Sequence, residues 1–259
     1  MRFSFFDQPS PVITAIMAGE TPQEFIAEAR NAEFDGAGAI CAELNYLQPE
    51  FRNYDSLKGM IDAIDLPFMF VFYRNDKWGE SNDEQRQEVL LTAAEAGASM
   101  IDVMGDLYDP SPMELSLNPQ AIDKQKRLID KIHSKGAHVV ISSHMPCART
   151  TEQVLEHMQE VASRGPDVVK IVTGANTEDE LAEALKTTLT LKRELNLPFI
   201  HLCNGKFSRP HRFMGPVLGI SIMFTVHRYR AKYGYNQPTI KSMKAVLENT
   251  HWDINKVMS

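Results

Sequence analysis

Residues 138–144, HVVISSH, and residues 168–172, VVKIV, are short β-branched runs separated by a segment of helical period. They read as strand, helix, strand, the unit that repeats in parallel α/β folds. Working outward, six more apolar runs follow the same pattern: Val12–Met17, Gly38–Glu43, Pro67–Tyr73, Met100–Met104, Pro198–Cys203 and Leu218–Phe224. Eight such repeats predict one α/β domain, a (β/α)8 TIM barrel over residues 1–259 with its active site at the C-terminal strand ends. Thr21 with Glu24, Ser81 with Glu84, Thr150 with Gln153 and Thr177 with Glu180 supply helix start signals. Gly36, Gly97, Gly136 and Gly165 stand where helices should end. The stretch Asn204–Asn236 departs from this regularity, being basic, aromatic and poorly periodic.

Composition narrows the function. Hydrophobic residues at 43% and charged residues at 24% are ordinary globular values. A formal net charge of −7 argues against nucleic acid as a partner, because phosphate binding needs a clustered basic face. Cys41, Cys147 and Cys203 are too few and scattered for a disulfide framework and read as small buried hydrophobes, which points to a reducing, cytoplasmic setting. Neither a secretory leader nor a run of about eighteen apolar residues is present, so a soluble protein with no membrane partner is expected. The histidines show no HExxH-type spacing and the glycines no phosphate-binding loop, so neither metal nor cofactor is expected.

In a barrel, the polar residues that close apolar runs converge on the active site. Here they are Glu43, Arg74, Asp102, His144, Lys170 and Asn204, with Arg209 just beyond the seventh run. Lys170 lies inside an apolar run, where burial disfavours its ammonium form and favours an amine able to attack a ketone. The plainer alternative is a rim lysine paired with an acid. His144 ends the preceding strand, about 5 Å away laterally, and an imidazole there suits general acid–base work. Taken alone it is more simply a satisfied core histidine; the Lys–His pair is the specific signal. Beyond the seventh strand, GKFSRP offers Arg209 for a carboxylate, with Ser208, Tyr233 and Gln237 as further donors. Arg212, Arg228 and Arg230 read as a solvated or subunit-contact face.

The segments ISSHMPCARTT and PDVVKIVTGANTEDE, with NGKFSRPHRFMGPVLGISIMF and YNQPTI, resemble type I 3-dehydroquinate dehydratase, a Schiff-base barrel enzyme of the shikimate and quinate pathways. The resemblance covers nearly the whole chain. It implies Lys170 as the Schiff-base lysine, His144 as the general acid–base, Arg209 and Gln237 on the substrate carboxylate, Glu43 on ring hydroxyls, and Arg74 as the family's substrate-binding third-strand arginine. It also implies a small-molecule keto acid as partner and a homodimer. Three positions depart from the family pattern. Asn45 stands where an arginine is expected, Trp78 where a glutamate partners the histidine, and Tyr233 where a serine is expected. Substrate identity is therefore less fixed than the chemistry, and two other readings stay open. One is an aldolase-like enzyme with the same lysine, and the other a catalytically silent carboxylate binder.

Overall fold

The computed structural model describes residues 3–79, 81–230 and 233–250. Its strands are β1 (Val12–Met17), β2 (Ala39–Glu43), β3 (Phe68–Val71), β4 (Met100–Met104), β5 (His138–His144), β6 (Val168–Gly174), β7 (Phe199–Asn204) and β8 (Ile222–Thr225). The helices that follow them are α1 (Pro22–Phe34), α2 (Tyr54–Asp62), α3 (Asp83–Ala96), α4 (Pro119–Ser134), α5 (Thr151–Ala162), α6 (Glu178–Glu194), α7 (Ser208–Leu218) and α8 (Ile240–Thr250). Every ladder is parallel, in the order β7-β6-β5-β4-β3-β2-β1-β8. The sheet curls until β7 and β8 meet at a seam without a ladder, joined by Ser221 N–H donating to Phe199 O at 2.9 Å. This is the expected (β/α)8 barrel, nearly closed.

The strands form where apolar residues run unbroken because both faces are buried, one against the lumen and one against the helices. All of β3 and β4 is buried. The helix starts follow from their caps: Thr21 and Thr177 accept from the third helical N–H, and Thr150 with Gln153 closes a capping box. The signal at Ser81 and Glu84 is displaced by one residue. Asn82 is the cap of α3, bonded reciprocally with Gln85, because its backbone is extended and Asp83 is already helical. Gly97 ends α3 at φ 114, a conformation that side chains avoid.

The last strand needs a larger correction. The run from Leu218 was expected to be extended throughout, yet Leu218 closes α7 and β8 begins only at Ile222. Gly219, at φ 120, ends the helix, and Ile220 N–H turns back to Gly215 O at 3.2 Å. Among the described residues no helix is long and apolar enough to cross a membrane.

Register decides which side chains enter the lumen. Lys170 pairs laterally with Ser142, His144 with Val172, and Asp102 with Val140. Lateral partners share a face, so Lys170, Ser142, His144 and Asp102 form one inward set. β3 ends at Val71; just beyond it Tyr73 joins the same set through its hydroxyl, which accepts from Lys170 Nζ, and Arg74 lines a cavity with His144 and Glu114.

Candidate active site

Lys170 is 4% exposed, with its Nζ between the rings of Tyr73 and Phe224, 5.2 and 5.4 Å from their centroids. The Nζ donates to Tyr73 Oη at 2.6 Å and lies 3.4 Å from Asp102 Oδ2. Tyr73 Oη in turn donates to Asp102 Oδ2 at 3.0 Å, while Ser142 Oγ donates to Asp102 Oδ1 at 2.5 Å. Burial, then the Asp102 charge, pushes the Tyr73 phenol well above its ordinary value, so it keeps its proton. The lysine therefore sits in a dry, fully bonded polar chain rather than in bare hydrocarbon.

On the next strand, His144 Nδ1 meets Glu114 Oε2 at 2.8 Å, and His144 N–H donates to the same oxygen at 2.8 Å. In the neutral ring, a carboxylate on Nδ1 keeps the proton on that nitrogen and leaves Nε2 able to accept one. Burial raises the Glu114 carboxyl, but the hydrogen bonds and charge of His144 outweigh it and hold the carboxyl below its ordinary range. Glu114 has φ 46, and its carbonyl accepts Ser143 Oγ at 2.7 Å. A non-glycine residue held there stores about 1–3 kcal/mol, which the surrounding bonds offset. The Tyr73 and His144 rings meet edge to face at 5.0 Å.

The other mouth residues are placed differently. Burial raises the Glu43 carboxyl to about 7; Tyr233 and the Lys170 charge oppose that rise, and Asp102 adds to it. The Tyr233 hydroxyl faces Glu43 without a well-formed hydrogen bond, and its ring meets Tyr46 at 5.6 Å. Arg74 is engaged on several sides: Nη1 donates to both Asp106 oxygens at 2.8 and 2.9 Å, and Nη2 reaches Asp83 at 3.2 Å and Asp106 O at 3.1 Å. Arg209 is directed to Tyr229, donating to its hydroxyl at 2.7 Å. Ser208 is buried at the start of α7. Gln237 is buried, and its Oε1 accepts from Arg212 Nη1 at 2.6 Å.

A family model described as type I 3-dehydroquinase matches residues 13–253. The chain belongs to the type I 3-dehydroquinase family. A 3-dehydroquinate dehydratase of Klebsiella pneumoniae is 22% identical over 227 residues, covering 85% of this chain and 86% of that one. One from Alkaliphilus oremlandii is 30% identical over 131 residues, so the matched part spans about half of each chain, 50% and 51%. The solved 3-dehydroquinate dehydratase of Geobacillus kaustophilus superposes with a TM-score of 0.80 at 15% identity, over 95% of this chain and 93% of that one. That of Clostridium difficile gives 0.79 at 18%, over 94% of each.

Against the family pattern, two expectations change. Trp78 was read as the lost partner of the histidine, yet His144 has a carboxylate, and it comes from the loop after β4. Trp78 instead donates its indole N–H to Tyr46 O at 2.8 Å. Glu80, two residues beyond Trp78, lies outside the described residues. Arg212, read as part of a solvated or contact face, is 2% exposed and donates to Cys203 O at 3.0 Å and Asn204 Oδ1 at 3.2 Å besides Gln237. A guanidinium can be buried there because three acceptors satisfy it. Cys147 is exposed, unlike buried Cys41 and Cys203. Asn45 is buried with its Oδ1 unpartnered.

The ligand atoms of buried His201, Cys203 and His211 all lie within 4.8 Å of one another on the helix-facing side of β7. Two threonine hydroxyls already bridge them. Thr173 contacts His201 Nε2 at 3.2 Å and Cys203 Sγ at 3.5 Å, and Thr188 contacts His201 Nδ1 at 2.9 Å and His211 Nε2 at 3.1 Å. The cluster is thereby occupied as a hydrogen-bonded core joint. Tyr73 and Glu114 were not singled out from the sequence. Tyr73 ends the third apolar run, which could have marked it; no local signal marks Glu114.

Proposed function

We propose that this chain converts 3-dehydroquinate to 3-dehydroshikimate through an imine on Lys170, with His144 moving the proton. The observation that carries the reading is the buried Lys170, laterally one strand from a histidine whose Nδ1 is held by Glu114. The substrate ketone condenses with Nζ, and the iminium acidifies the adjacent C–H. His144 Nε2 takes that proton, and the hydroxyl one carbon further on leaves with it as water. Hydrolysis of the conjugated iminium returns Lys170 and the enone acid. Arg209 and the amide of Gln237 would receive the carboxylate, and Glu43 a ring hydroxyl. Arg74, held by Asp106 and Asp83, lines the cavity shared with His144 and Glu114 and would meet the substrate there. The Glu114 partner supports an active site over the silent-relative reading. A homodimer in the cytoplasm belongs to the same proposal and is checked by light scattering.

The test is incubation with 3-dehydroquinate and borohydride, followed by intact mass and peptide mapping. A reduced adduct on Lys170, absent in Lys170→Met, is expected. An adduct on another lysine, or none, overturns the reading. His144→Ala should still trap substrate while turnover drops about 10²–10⁴-fold.

A further inference from the structure

Lys170 is joined to a second acid–base system that the dehydration step at His144 does not use. Its Nζ, Tyr73 Oη and Asp102 Oδ2 are linked at 2.6 and 3.0 Å, and Ser142 Oγ holds the far carboxylate oxygen at 2.5 Å. All four groups face the lumen, and Asp102, Ser142 and Lys170 are at most 4% exposed. A phenol has one proton to give and lone pairs to receive one, so it can pass a proton along such a chain without ionising. Because the amine and the carboxylate are both buried, a proton leaving Lys170 has the phenol and Asp102 as its path rather than solvent.

We propose that Tyr73 is a catalytic residue for imine formation, relaying a proton between Lys170 and Asp102, while His144 with Glu114 serves the dehydration step. The inference rests on the Lys170 imine. In the first move the ammonium gives one proton to Tyr73 as the phenol proton passes to Asp102, leaving a neutral amine and a carboxylic acid. The amine adds to the ketone carbon and a second N–H proton goes to the new alkoxide, giving a carbinolamine. Asp102 then returns its proton through Tyr73 to the carbinolamine hydroxyl. The C–O bond breaks, water leaves, and nitrogen keeps one hydrogen as the iminium. Two protons have moved from nitrogen to oxygen and no other reagent is required. Reversal of the same moves hydrolyses the product imine.

The division of labour follows from position. The Tyr73 hydroxyl touches the nitrogen that must be deprotonated, and the His144 imidazole, edge-on to the same ring, is held by a separate carboxylate. Two proton stores with separate acceptors allow imine formation and C–H abstraction to be tuned apart.

The experiment measures imine formation directly, as the initial rate of the borohydride adduct with 3-dehydroquinate and as ¹⁸O exchange into the substrate ketone from labelled water. In Tyr73→Phe both rates should fall by about 10²-fold or more. In His144→Ala both should persist while product formation drops about 10²–10⁴-fold. If Tyr73→Phe disturbs folding, difluorotyrosine at position 73 keeps the ring and acidifies the hydroxyl, and the adduct rate should change several-fold. Adduct and exchange at parental rates in a folded Tyr73→Phe, or no change with difluorotyrosine, overturn the relay alone. No adduct in the parent overturns the Lys170 reading itself.

Discussion

The two arcs of the barrel mouth are built on different rules. From β3 to β6, Lys170, Tyr73, Asp102 and Ser142 form one hydrogen-bonded chain and His144 with Glu114 a second, both in place before any substrate arrives. From β7 to the loop before α8, the cations are dispersed. Arg212 is spent inside on Gln237, Asn204 and a carbonyl, and Arg209 rests on the exposed ring of Tyr229. The first arc is preorganised for chemistry, where fixed dipoles act without reorganisation. The second holds its ligand-binding groups through second partners, which suits binding followed by adjustment.

Breaking the first arc should have the larger effect. Glu114→Gln removes the charge that orients His144, and a hydrogen bond to a charged group is worth about 1.5–3 kcal/mol, so kcat should fall by about one to two decades with KM little changed. Steady-state kinetics from enone absorbance decide it; a rise in KM alone would place Glu114 in the binding arc. Arg212→Met probes the second arc. Gln237 loses the donor that fixes its oxygen, so KM should rise by about tenfold while the adduct on Lys170 still forms at saturating substrate. Thermal melting should also drop, because Cys203 O and Asn204 lose the same donor.

The smallest effect lies between the arcs, at Glu43. Its folded-state value of about 7 exceeds the ordinary 4.5, so between these values the folded chain keeps a proton that the unfolded chain has released. Stability contributed by the neutral carboxyl is present below pH 4.5 and is lost as pH rises through about 7. Denaturant midpoints for the parent should decline over that window, and Glu43→Gln should flatten the decline. An unchanged slope would remove the buried-acid reading of Glu43.

The first arc was also the more legible from sequence. β4 and β5 begin and end where the apolar runs do, and Lys170 and His144 follow from their place in those runs. Tyr73 escaped because a charged residue, Arg74, was taken as the end of the third strand, whereas β3 ends at Val71 and the tyrosine lies just beyond it. Glu114 lies 30 residues from His144 in a loop, and only the three-dimensional path of that loop brings the two together. In the second arc, Arg212 read as surface because a cation in a basic, glycine-rich stretch gives no local sign of burial. Its three acceptors come from β7 and from a segment 25 residues later.

The placement of Glu114 after β4 has a consequence for how this barrel can be altered. Because the orienting carboxylate of His144 is carried there, the loop after β3 is released from that duty. It is pinned at its own base, where Arg52 grips Asp76 through two bonds of 2.7 Å. Among the described residues, the stretch between that clasp and the cap at Asn82 supplies no partner to His144, and Trp78 in it is bonded to Tyr46 O instead. Substitutions in it should therefore alter which rings the mouth accepts more than how the proton is moved.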